Sequence, residues 1–296
     1  MQFASVKPNN LAVIKNGSLV IIGDLLAKEN LLPEGASMID LIARYEALKG
    51  RIAKAVESGP AVGIDPKKLK PPVGEPSKVW AAATNYRRGS TGLEDARGRG
   101  TAPGISPEEI LEMAFLKPPS AIIGPEEAIV IPKGAGSVFP ELELCVVIGK
   151  KCRDASPEQA LDAVFGYTIM LDVTARGAGW GKALTTSRCV RKGFDTFAPI
   201  GPWITTKDEI KNPQDLWMRL SVNGELRQSA RTEAMIHGVA ELVGYLSRVC
   251  TLNPGDLIST GNPDDPAFQM ELKPGDTLKA EIEGIGALDL SVRKAK

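Results

Sequence analysis

The spacing of apolar and polar residues in the first part of the chain predicts a hairpin followed by one long helix. NLAVIKNGSLVIIG has two apolar runs around Asn16-Gly17, a pair that favours a tight turn between antiparallel strands. Apolar residues then recur at steps of three and four from Ile39 to Ile52, and Ser37 precedes them as a cap. The Pro- and Lys-rich stretch 64–76 is typical of a linker.

From Val79 onward, short β-type runs alternate with Gly and Pro and are interrupted by three helices. Two helix starts carry a serine cap, a proline in the first turn and a capping-box partner, at 106–109 and 156–159. A third helix is predicted near Glu233 to Val249. We therefore expect an α+β protein, with a small N-terminal α+β domain and linker over 1–76 and a larger domain over 77–296.

The segment from Arg87 to Pro107 is polar and rich in glycine, and it has almost no apolar periodicity. Loops of this length within compact domains are usually functional. We interpret it as a lid over an active site, with an irregular surface loop as the alternative. Its basic residues Arg87, Arg88, Arg97 and Arg99 either neutralise an anionic substrate or are solvated surface charges.

Two glutamates lie in an unusual position within VFPELELCVVIGK. Alternation along a strand puts Glu141 and Glu143 on one face with Cys145, while leucines occupy the other face. Because both faces are mostly apolar, the strand is expected to be buried, where two ionised carboxylates are costly unless a cation compensates them. The alternative is the start of an edge strand, with both glutamates in water.

Asp172 ends a second apolar run, FGYTIMLDVTARG. On its own it could cap a turn. Together with Glu141 and Glu143 it completes a set of three carboxylates suited to a hard divalent ion. We expect Mg²⁺ first, with Mn²⁺ or Ca²⁺ as alternatives.

Composition and charge narrow the function classes. The 36 basic and 36 acidic residues balance, so nucleic acid is not an expected partner. The sequence has no apolar run of membrane-spanning length and no secretory signal at its start, which predicts a cytoplasmic protein. Its four cysteines form no CxxC pair, and its single histidine, His237, is interpreted as a packing or capping residue of the third helix. Any metal site must therefore use oxygen ligands.

Seven sequence blocks in order resemble the fumarylacetoacetate hydrolase family: NYR, FLKPPSAIIGP, ELELCVVIGK, GYTIMLDVTARG, KGFDTFAPIGPW, VNGELRQ and PGDLISTGNP. The resemblance covers the chain from about Lys78 to its end. It implies a mixed β-roll catalytic domain, usually a homodimer. It also implies metal binding by Glu141, Glu143 and Asp172, the residues already selected above.

The resemblance further implies roles for residues around the metal. Lys192 would donate to a substrate oxygen, Thr260 and Gly261 would hold the substrate near a backbone turn, and Tyr86 and Arg87 of the NYR block would contact it. The family's hydrolases commonly have a histidine and a glutamate after NYR. In this chain Gly89 stands near the histidine position, which leaves Glu94 as a candidate base. The turn TGNP, with Asn262, also departs from the usual TGTP.

The resulting hypothesis is a metal-dependent hydrolase that cleaves a carbon–carbon bond in a small diketo-acid. A keto-acid tautomerase or decarboxylase on the same scaffold is the alternative, because neither needs to activate water for attack. A binding or scaffold protein is a third possibility, which the combined presence of three carboxylates and Lys192 disfavours.

Overall fold

The computed structural model describes residues 1–87, 106–263 and 270–296, which form a mixed α and β fold dominated by sheets. The strands are β1 Gln2–Val6, β2 Asn10–Lys15, β3 Ser18–Ile21, β4 Ala61–Gly63, β5 Leu69–Lys70, β6 Val79–Ala81, β7 Phe115–Lys117, β8 Ile122–Ile123, β9 Ala128–Ile131, β10 Ser137–Phe139, β11 Leu142–Ile148, β12 Val164–Leu171, β13 Thr174–Arg176, β14 Ala198–Thr206, β15 Trp217–Val222, β16 Glu225–Arg231, β17 Leu257–Ser259, β18 Thr277–Ile282 and β19 Gly286–Lys294. The helices are α1 Gly23–Lys28, α2 Met38–Ser58, α3 Pro107–Met113, α4 Pro157–Ala163, α5 Ala183–Thr186, α6 Arg188–Arg191 and α7 Val239–Val249. Within these ranges no helix has the length and apolar character needed to cross a bilayer.

The largest sheet has 12 strands, of which ten follow the order β4-β3-β2-β1-β14-β12-β11-β17-β6-β7, while β5 pairs with β1 and β8 pairs with β14. The predicted hairpin at Asn16-Gly17 joins β2 to β3. The N-terminal strands enter the sheet through β1, which pairs antiparallel with β14 at Gln2↔Thr205 and Phe3↔Ile204. Within the stretch interpreted as a linker, β5 pairs with β1. The boundary near residue 76 stays a prediction.

One face of the large sheet packs on a second, five-stranded sheet of order β16-β15-β18-β19-β9. Leu144 and Val146 of β11 share one hydrophobic cluster with Met218 and Leu220 of β15. The other face is covered by α2, where Cys145 and Val147 share a second cluster with residues of that helix. Strand β11 is therefore buried on both faces, as its sequence predicts.

Three helix starts agree with the sequence because each is encoded locally. Ser37, Ser106 and Ser156 each accept a hydrogen bond from the backbone N–H three residues on, and each forms a capping box. The predicted start of the third helix at Glu233 is wrong, because α7 begins at Val239. The preceding residues are held elsewhere, since the backbone N–H of Ile236 donates to the carbonyl of Asn85 and that of His237 donates to Asn85 Oδ1. His237 therefore precedes the helix.

Candidate active site

The antiparallel pairing of β11 with β12 brings the three predicted carboxylates together. Leu142 pairs with Leu171, so Glu141 and Asp172 lie next to each other just beyond the paired ends, and the Asp172 N–H donates to the Glu141 carbonyl at 2.8 Å. Glu143 lies one pleat further along β11. One carboxylate oxygen from each of Glu141, Glu143 and Asp172 lies within 4.8 Å of the others.

Glu143 is fixed by donors from the neighbouring strand end. Strand β17 pairs with β11 at Cys145↔Ser259, so the Ser259 hydroxyl donates to Glu143 Oε2 at 2.5 Å. The Gly261 N–H donates to the same oxygen at 2.7 Å. Only 1% of Glu143 is exposed, and burial, followed by the charge of Asp172, raises the pKa of its carboxyl to about 8. A buried carboxyl with this pKa needs a further cation to stay ionised at lower pH.

Lys192 follows α6 and reaches two of the three carboxylates. Its ammonium donates to Asp172 Oδ2 at 2.6 Å and to Glu141 Oε2 at 2.7 Å. Burial by itself disfavours the charged form, but the charges of Asp172 and Glu141 outweigh it and raise the pKa of Lys192. The side chain is therefore a firmly charged ammonium inside the site.

Lys117 is a site residue that the sequence reasoning missed. It ends β7, and its fully buried ammonium donates to Asp172 Oδ1 at 2.6 Å and to the carbonyl of Lys192. Burial lowers the pKa of Lys117, and the charge of Asp172 opposes that effect. Phe115 and Lys117 are buried and Leu116 between them is exposed, but a strand of three residues is too short for the sequence to reveal this alternation.

The carboxylates open into a cavity of about 230 Å³. It is lined by Ala82, Ala83, Thr84, Tyr86, Glu141, Glu143, Asp172, Arg176, Arg188, Arg191, Lys192 and Asn262. Arg176, Arg188 and Arg191 form a cationic wall that the sequence reasoning also missed. Since α6 is only four residues long and β13 only three, neither has a periodicity that reveals which way these arginines point.

The other predicted site residues lie near the cavity, but several use their polar groups within the protein. Tyr86 is a buried part of the wall, with its hydroxyl 3.8 Å from Met218 Sδ, and burial raises its pKa well above the usual value. The Arg87 guanidinium donates to the Glu233 carbonyl at 3.3 Å, and the Thr260 hydroxyl donates to the Leu144 carbonyl at 2.9 Å. Glu94, Arg88, Gly89, Arg97, Arg99 and most of the segment interpreted as a lid lie outside the described residues.

Gly261 has a backbone conformation suited to its contact with Glu143. Its φ of +90° lies in the left-handed region that favours glycine, and an added Cβ would meet the Asn85 Cβ at 3.0 Å. Asn85 is fully buried and donates from Nδ2 to the Thr260 and His237 carbonyls, both at 2.9 Å. Asn85 therefore fixes the turn that presents the Gly261 N–H.

The residues present fit a divalent cation. Three carboxylates converge on the cavity, and the ammonium groups of Lys117 and Lys192 compensate only two of their three charges. Carboxylate oxygens in such a cluster are the ligands preferred by Mg²⁺, Mn²⁺ and Ca²⁺. Glu143 is the carboxyl without an ammonium contact among the described residues, and a cation would hold it in its ionised form.

Comparisons with known proteins identify related sequences and structures. The family profile described as "Fumarylacetoacetate (FAA) hydrolase C-terminal" matches residues 78–293. A maleylpyruvate hydrolase from Aquipseudomonas alcaligenes is 36% identical over 254 residues, covering 86% of this chain and 85% of that protein. The crystal structure of maleylpyruvate hydrolase from Sphingobium sp. SYK-6, in complex with manganese (II) ion and pyruvate, superposes with a TM-score of 0.81 at 31% identity over 100% of both chains.

A structure of 2-hydroxyhepta-2,4-diene-1,7-dioate isomerase from Mycobacterium marinum is also similar, with a TM-score of 0.63 and 39% identity over 77% of this chain and 78% of that one. The similarity therefore extends to isomerases as well as hydrolases. The expected mixed fold of α and β elements, dominated by sheets, is confirmed by these structural neighbours.

Proposed function

Because this chain belongs to the fumarylacetoacetate hydrolase family, we propose that it is a divalent-metal-dependent hydrolase that cleaves a carbon–carbon bond of a small acylpyruvate-type diketo-acid. The observation that carries the proposal is the cluster of Glu141, Glu143 and Asp172 in the cavity, with Lys192 in contact. The similarity to two maleylpyruvate hydrolases supports the substrate class.

Glu141, Glu143 and Asp172 would hold the ion, for which Mg²⁺ is our first choice and Mn²⁺ or Ca²⁺ the alternatives. When bound, the ion supplies Lewis-acid polarisation of the dioxo group. The solved relative that contains manganese (II) supports a divalent ion of this kind.

Lys192 contributes a charge-assisted donor at the reacting end of the substrate. An ammonium has three N–H donors, and Glu141 and Asp172 use two of them, so the third can serve a substrate oxygen. In hydrolysis, water adds to the acyl carbonyl and the bond from that carbon to the methylene group breaks. The electron pair passes to the methylene carbon as the enolate of pyruvate, which then takes a proton. Lys192 stabilises the negative charge that develops on the enolate oxygen.

The remaining predicted residues have narrower roles in this proposal. Tyr86 contacts the substrate from the cavity wall, and Gly261 acts through the bond of its N–H to Glu143. Arg87 and Thr260 border the site. Their hydrogen bonds to the backbone carbonyls of Glu233 and Leu144 hold the backbone in place while the substrate binds. Glu94 remains our candidate for the base that activates water.

A keto-acid isomerase or decarboxylase is the second candidate, and one observation favours it. Among the described residues that line the cavity, there is no histidine and no carboxylate beyond the three proposed ligands. A reaction without water attack needs no such base, and the isomerase from Mycobacterium marinum has a related fold.

A turnover screen distinguishes these reactions. The full chain, loaded with Mg²⁺ or Mn²⁺, is incubated with a series of acylpyruvates and with oxaloacetate, and the products are resolved by mass. A carboxylic acid plus pyruvate supports hydrolysis, CO₂ supports decarboxylation, and an isomer alone supports tautomerisation. A metal-loaded protein that changes none of these compounds would refute the proposed function.

Glu143→Gln tests the ion site separately from turnover. The amide keeps the shape and an acceptor for Ser259 and Gly261 but removes the charge, so we expect the Kd for Mn²⁺ to rise by about a hundredfold or more. Isothermal titration calorimetry with Mn²⁺ measures it. The exposed Glu225→Gln serves as the control and is expected to bind Mn²⁺ like the parent. Unchanged affinity in Glu143→Gln would place the ion elsewhere.

The proposal also includes two properties of the whole protein, a cytoplasmic location and a homodimer. Sedimentation of the purified chain tests the second.

A further inference from the structure

The peptide backbone between two of the proposed ion ligands is held by a side chain of the second sheet. Leu142 lies between Glu141 and Glu143 and is fully buried. Gln228 of β16, which is only 6% exposed, accepts a hydrogen bond from the Leu142 N–H at 3.1 Å and donates from Nε2 to the Leu142 carbonyl at 2.9 Å. One carboxamide therefore pairs with both backbone polar groups of this residue.

This carboxamide lies where β11 extends beyond its neighbouring strand. Strand β17 pairs with β11 from Cys145 to Val147, and the Thr260 N–H continues this edge by donating to the Leu144 carbonyl at 3.0 Å. Alternate residues of a strand direct their backbone polar groups to the same edge, so those of Leu142 point there too. The chain turns at Gly261, where φ is +90°. The side chain from β16 takes the place of a strand, because a carboxamide offers a donor and an acceptor as a peptide group does.

A β-bulge turns Gln228 towards β11. In the hairpin of β15 and β16, Ser221 pairs with Leu226. The next pair is Leu220 with Gln228, so β16 carries one extra residue between the two pairs. A regular register would turn Gln228 to the other face of the sheet. Leu220 shares a hydrophobic cluster with Leu144 of β11, and residues directly opposite each other point to the same face, so Gln228 faces β11 as well.

A shift of this backbone would move the carboxylates on either side of it. Glu141 and Glu143 are the chain neighbours of Leu142, so their spacing depends on the conformation at that residue. The Glu143 carboxylate is also held by short hydrogen bonds from the Ser259 hydroxyl at 2.5 Å and the Gly261 N–H at 2.7 Å. Bonds of this length tolerate little displacement of the acceptor. The link to the second sheet therefore acts on the geometry of the ion ligands.

We propose that Gln228 is a positioning residue of the ion site, which fixes the spacing of Glu141 and Glu143 and so sets the affinity for the divalent ion. It acts through the backbone of Leu142, because its carboxamide is paired there and Gln228 is not among the described residues that line the cavity. The inference rests on the proposed function, in that these carboxylates are taken to hold the ion. It adds a contribution from the second sheet, which supplies none of the three ligands.

Gln228→Met tests the proposal, because methionine keeps the length of the side chain and removes both hydrogen bonds to Leu142. We expect the Kd for Mn²⁺, measured by isothermal titration calorimetry, to rise by about tenfold or more, as when other groups that orient ion ligands are removed. In the metal-free protein, the amide proton resonance of Gly261 should move upfield, because its hydrogen bond to Glu143 lengthens. Two-dimensional ¹H–¹⁵N NMR measures this shift.

Ser247→Ala is the matched control for a general loss of stability. Ser247 is fully buried in α7, and its hydroxyl oxygen accepts a hydrogen bond from the Ala155 N–H at 2.9 Å. The control therefore also leaves a buried backbone N–H without its partner, but at a residue that is not next to an ion ligand. Both variants should have a lower urea midpoint than the parent. Only Gln228→Met should change the Kd for Mn²⁺ and the Gly261 resonance.

A second variant, Gln228→Asn, keeps the amide but is one carbon–carbon bond shorter, so it cannot reach both groups of Leu142. It should show the same two changes, and it decides the question if Gln228→Met does not fold. A parent-like Kd for Mn²⁺ in the folded Gln228 variants overturns the proposal, whether or not the Gly261 resonance moves. An equal rise of the Kd in Ser247→Ala also overturns it, since the effect would then follow from lower stability.

The two readouts separate this inference from the proposed function. If the parent protein binds no Mn²⁺, the proposed ion site fails, and the Gly261 resonance of the metal-free protein still decides whether Gln228 positions Glu143. An upfield shift in the Gln228 variants that is absent from Ser247→Ala supports the positioning role. An unchanged resonance overturns it.

Discussion

Asp172 is almost fully buried, yet each of its carboxylate oxygens accepts a hydrogen bond from an ammonium group, Oδ1 from Lys117 and Oδ2 from Lys192. Burial alone would raise the pKa of this carboxyl, but the two lysines outweigh burial and lower it. A buried ion pair of this kind adds little net stability, whereas removing one partner leaves an uncompensated charge. Lys117 is therefore more important for keeping the site folded than an exposed lysine would be.

Lys117→Met is predicted to lower the free energy of unfolding by about 3 kcal/mol in the metal-free protein, because it removes one of the two cations at Asp172. Urea denaturation followed by circular dichroism measures the change. The matched control is Lys150→Met, which breaks an exposed pair with Asp162 and should cost at most about 1 kcal/mol. Equal losses in the two variants would mean that Lys117 behaves as a surface lysine.

At the scale of single residues, the sequence predicts the site residues that stand out against their own apolar strand. It misses the site residues that are placed by contacts with distant segments of the chain. Three carboxylates stand out because the buried apolar residues of β11 and β12 leave a neighbouring carboxylate little contact with water: Glu141, Glu143 and Asp172. Lys117 and Arg191 lie on elements of three and four residues, too short to show a buried face. Their places in the site depend on contacts with Asp172 and the cavity, which the local sequence does not encode.

Among the elements, the loops after β6 and β17 and the approach to α7 meet at Asn85. Its side chain joins the Thr260 carbonyl to the backbone of His237, and its own carbonyl accepts from Ile236. The neighbouring Gly261 then donates to Glu143. A residue that binds no ion thus sets the position of a carboxylate in the ion site.

Asn85→Ala is predicted to destabilise the protein by roughly 3 kcal/mol, since it leaves buried backbone groups at His237 and Thr260 without partners. It should also weaken Mn²⁺ binding by about tenfold through the displaced Gly261 N–H. Urea denaturation and calorimetry measure the two effects. Asn9→Ala, at an exposed asparagine, is the control. A destabilised variant with parent affinity for Mn²⁺ would show that Asn85 supports the fold alone.

The helix starts show the same division between local and distant causes. Ser37, Ser106 and Ser156 cap their helices through residues three positions away, so the sequence alone predicts them. The start of α7 depends on Asn85, which is 152 residues from His237 along the chain. Apolar periodicity alone predicts a helix that begins near Glu233. The hydrogen bonds to Asn85 keep residues 236 and 237 out of the helix.

For the molecule as a whole, the N-terminal strands continue the large sheet and α2 covers its face. Phe3 of β1, Tyr45 of α2 and Phe165 of β12 form an aromatic cluster with ring centroids 5.1 to 5.7 Å apart. Without residues 1–76, the part of β14 that pairs with β1 becomes a free edge, and the apolar face under α2 is exposed. The remainder would carry the complete carboxylate cluster but lack the residues that cover this face of the sheet.

A chain that begins at residue 77 is therefore predicted to aggregate or to melt without a cooperative transition. Size-exclusion chromatography and thermal unfolding followed by near-ultraviolet circular dichroism measure this. Co-expression of 1–76 with 77–296 as separate fragments is the control and should restore a single folded species. A monodisperse 77–296 fragment that unfolds cooperatively on its own would show that the sheet does not need β1 or α2.

The double burial of β11 and β12 also determines which parts of this molecule tolerate mutation. Their side chains fill both faces of the sheet, so most mutations there lower stability before they alter the reaction. Arg188 and Arg191 lie on a short helix without a buried residue. Mutations on α6 can therefore accumulate at little cost to folding, and substitutions there should be tolerated better than substitutions in β11 or β12.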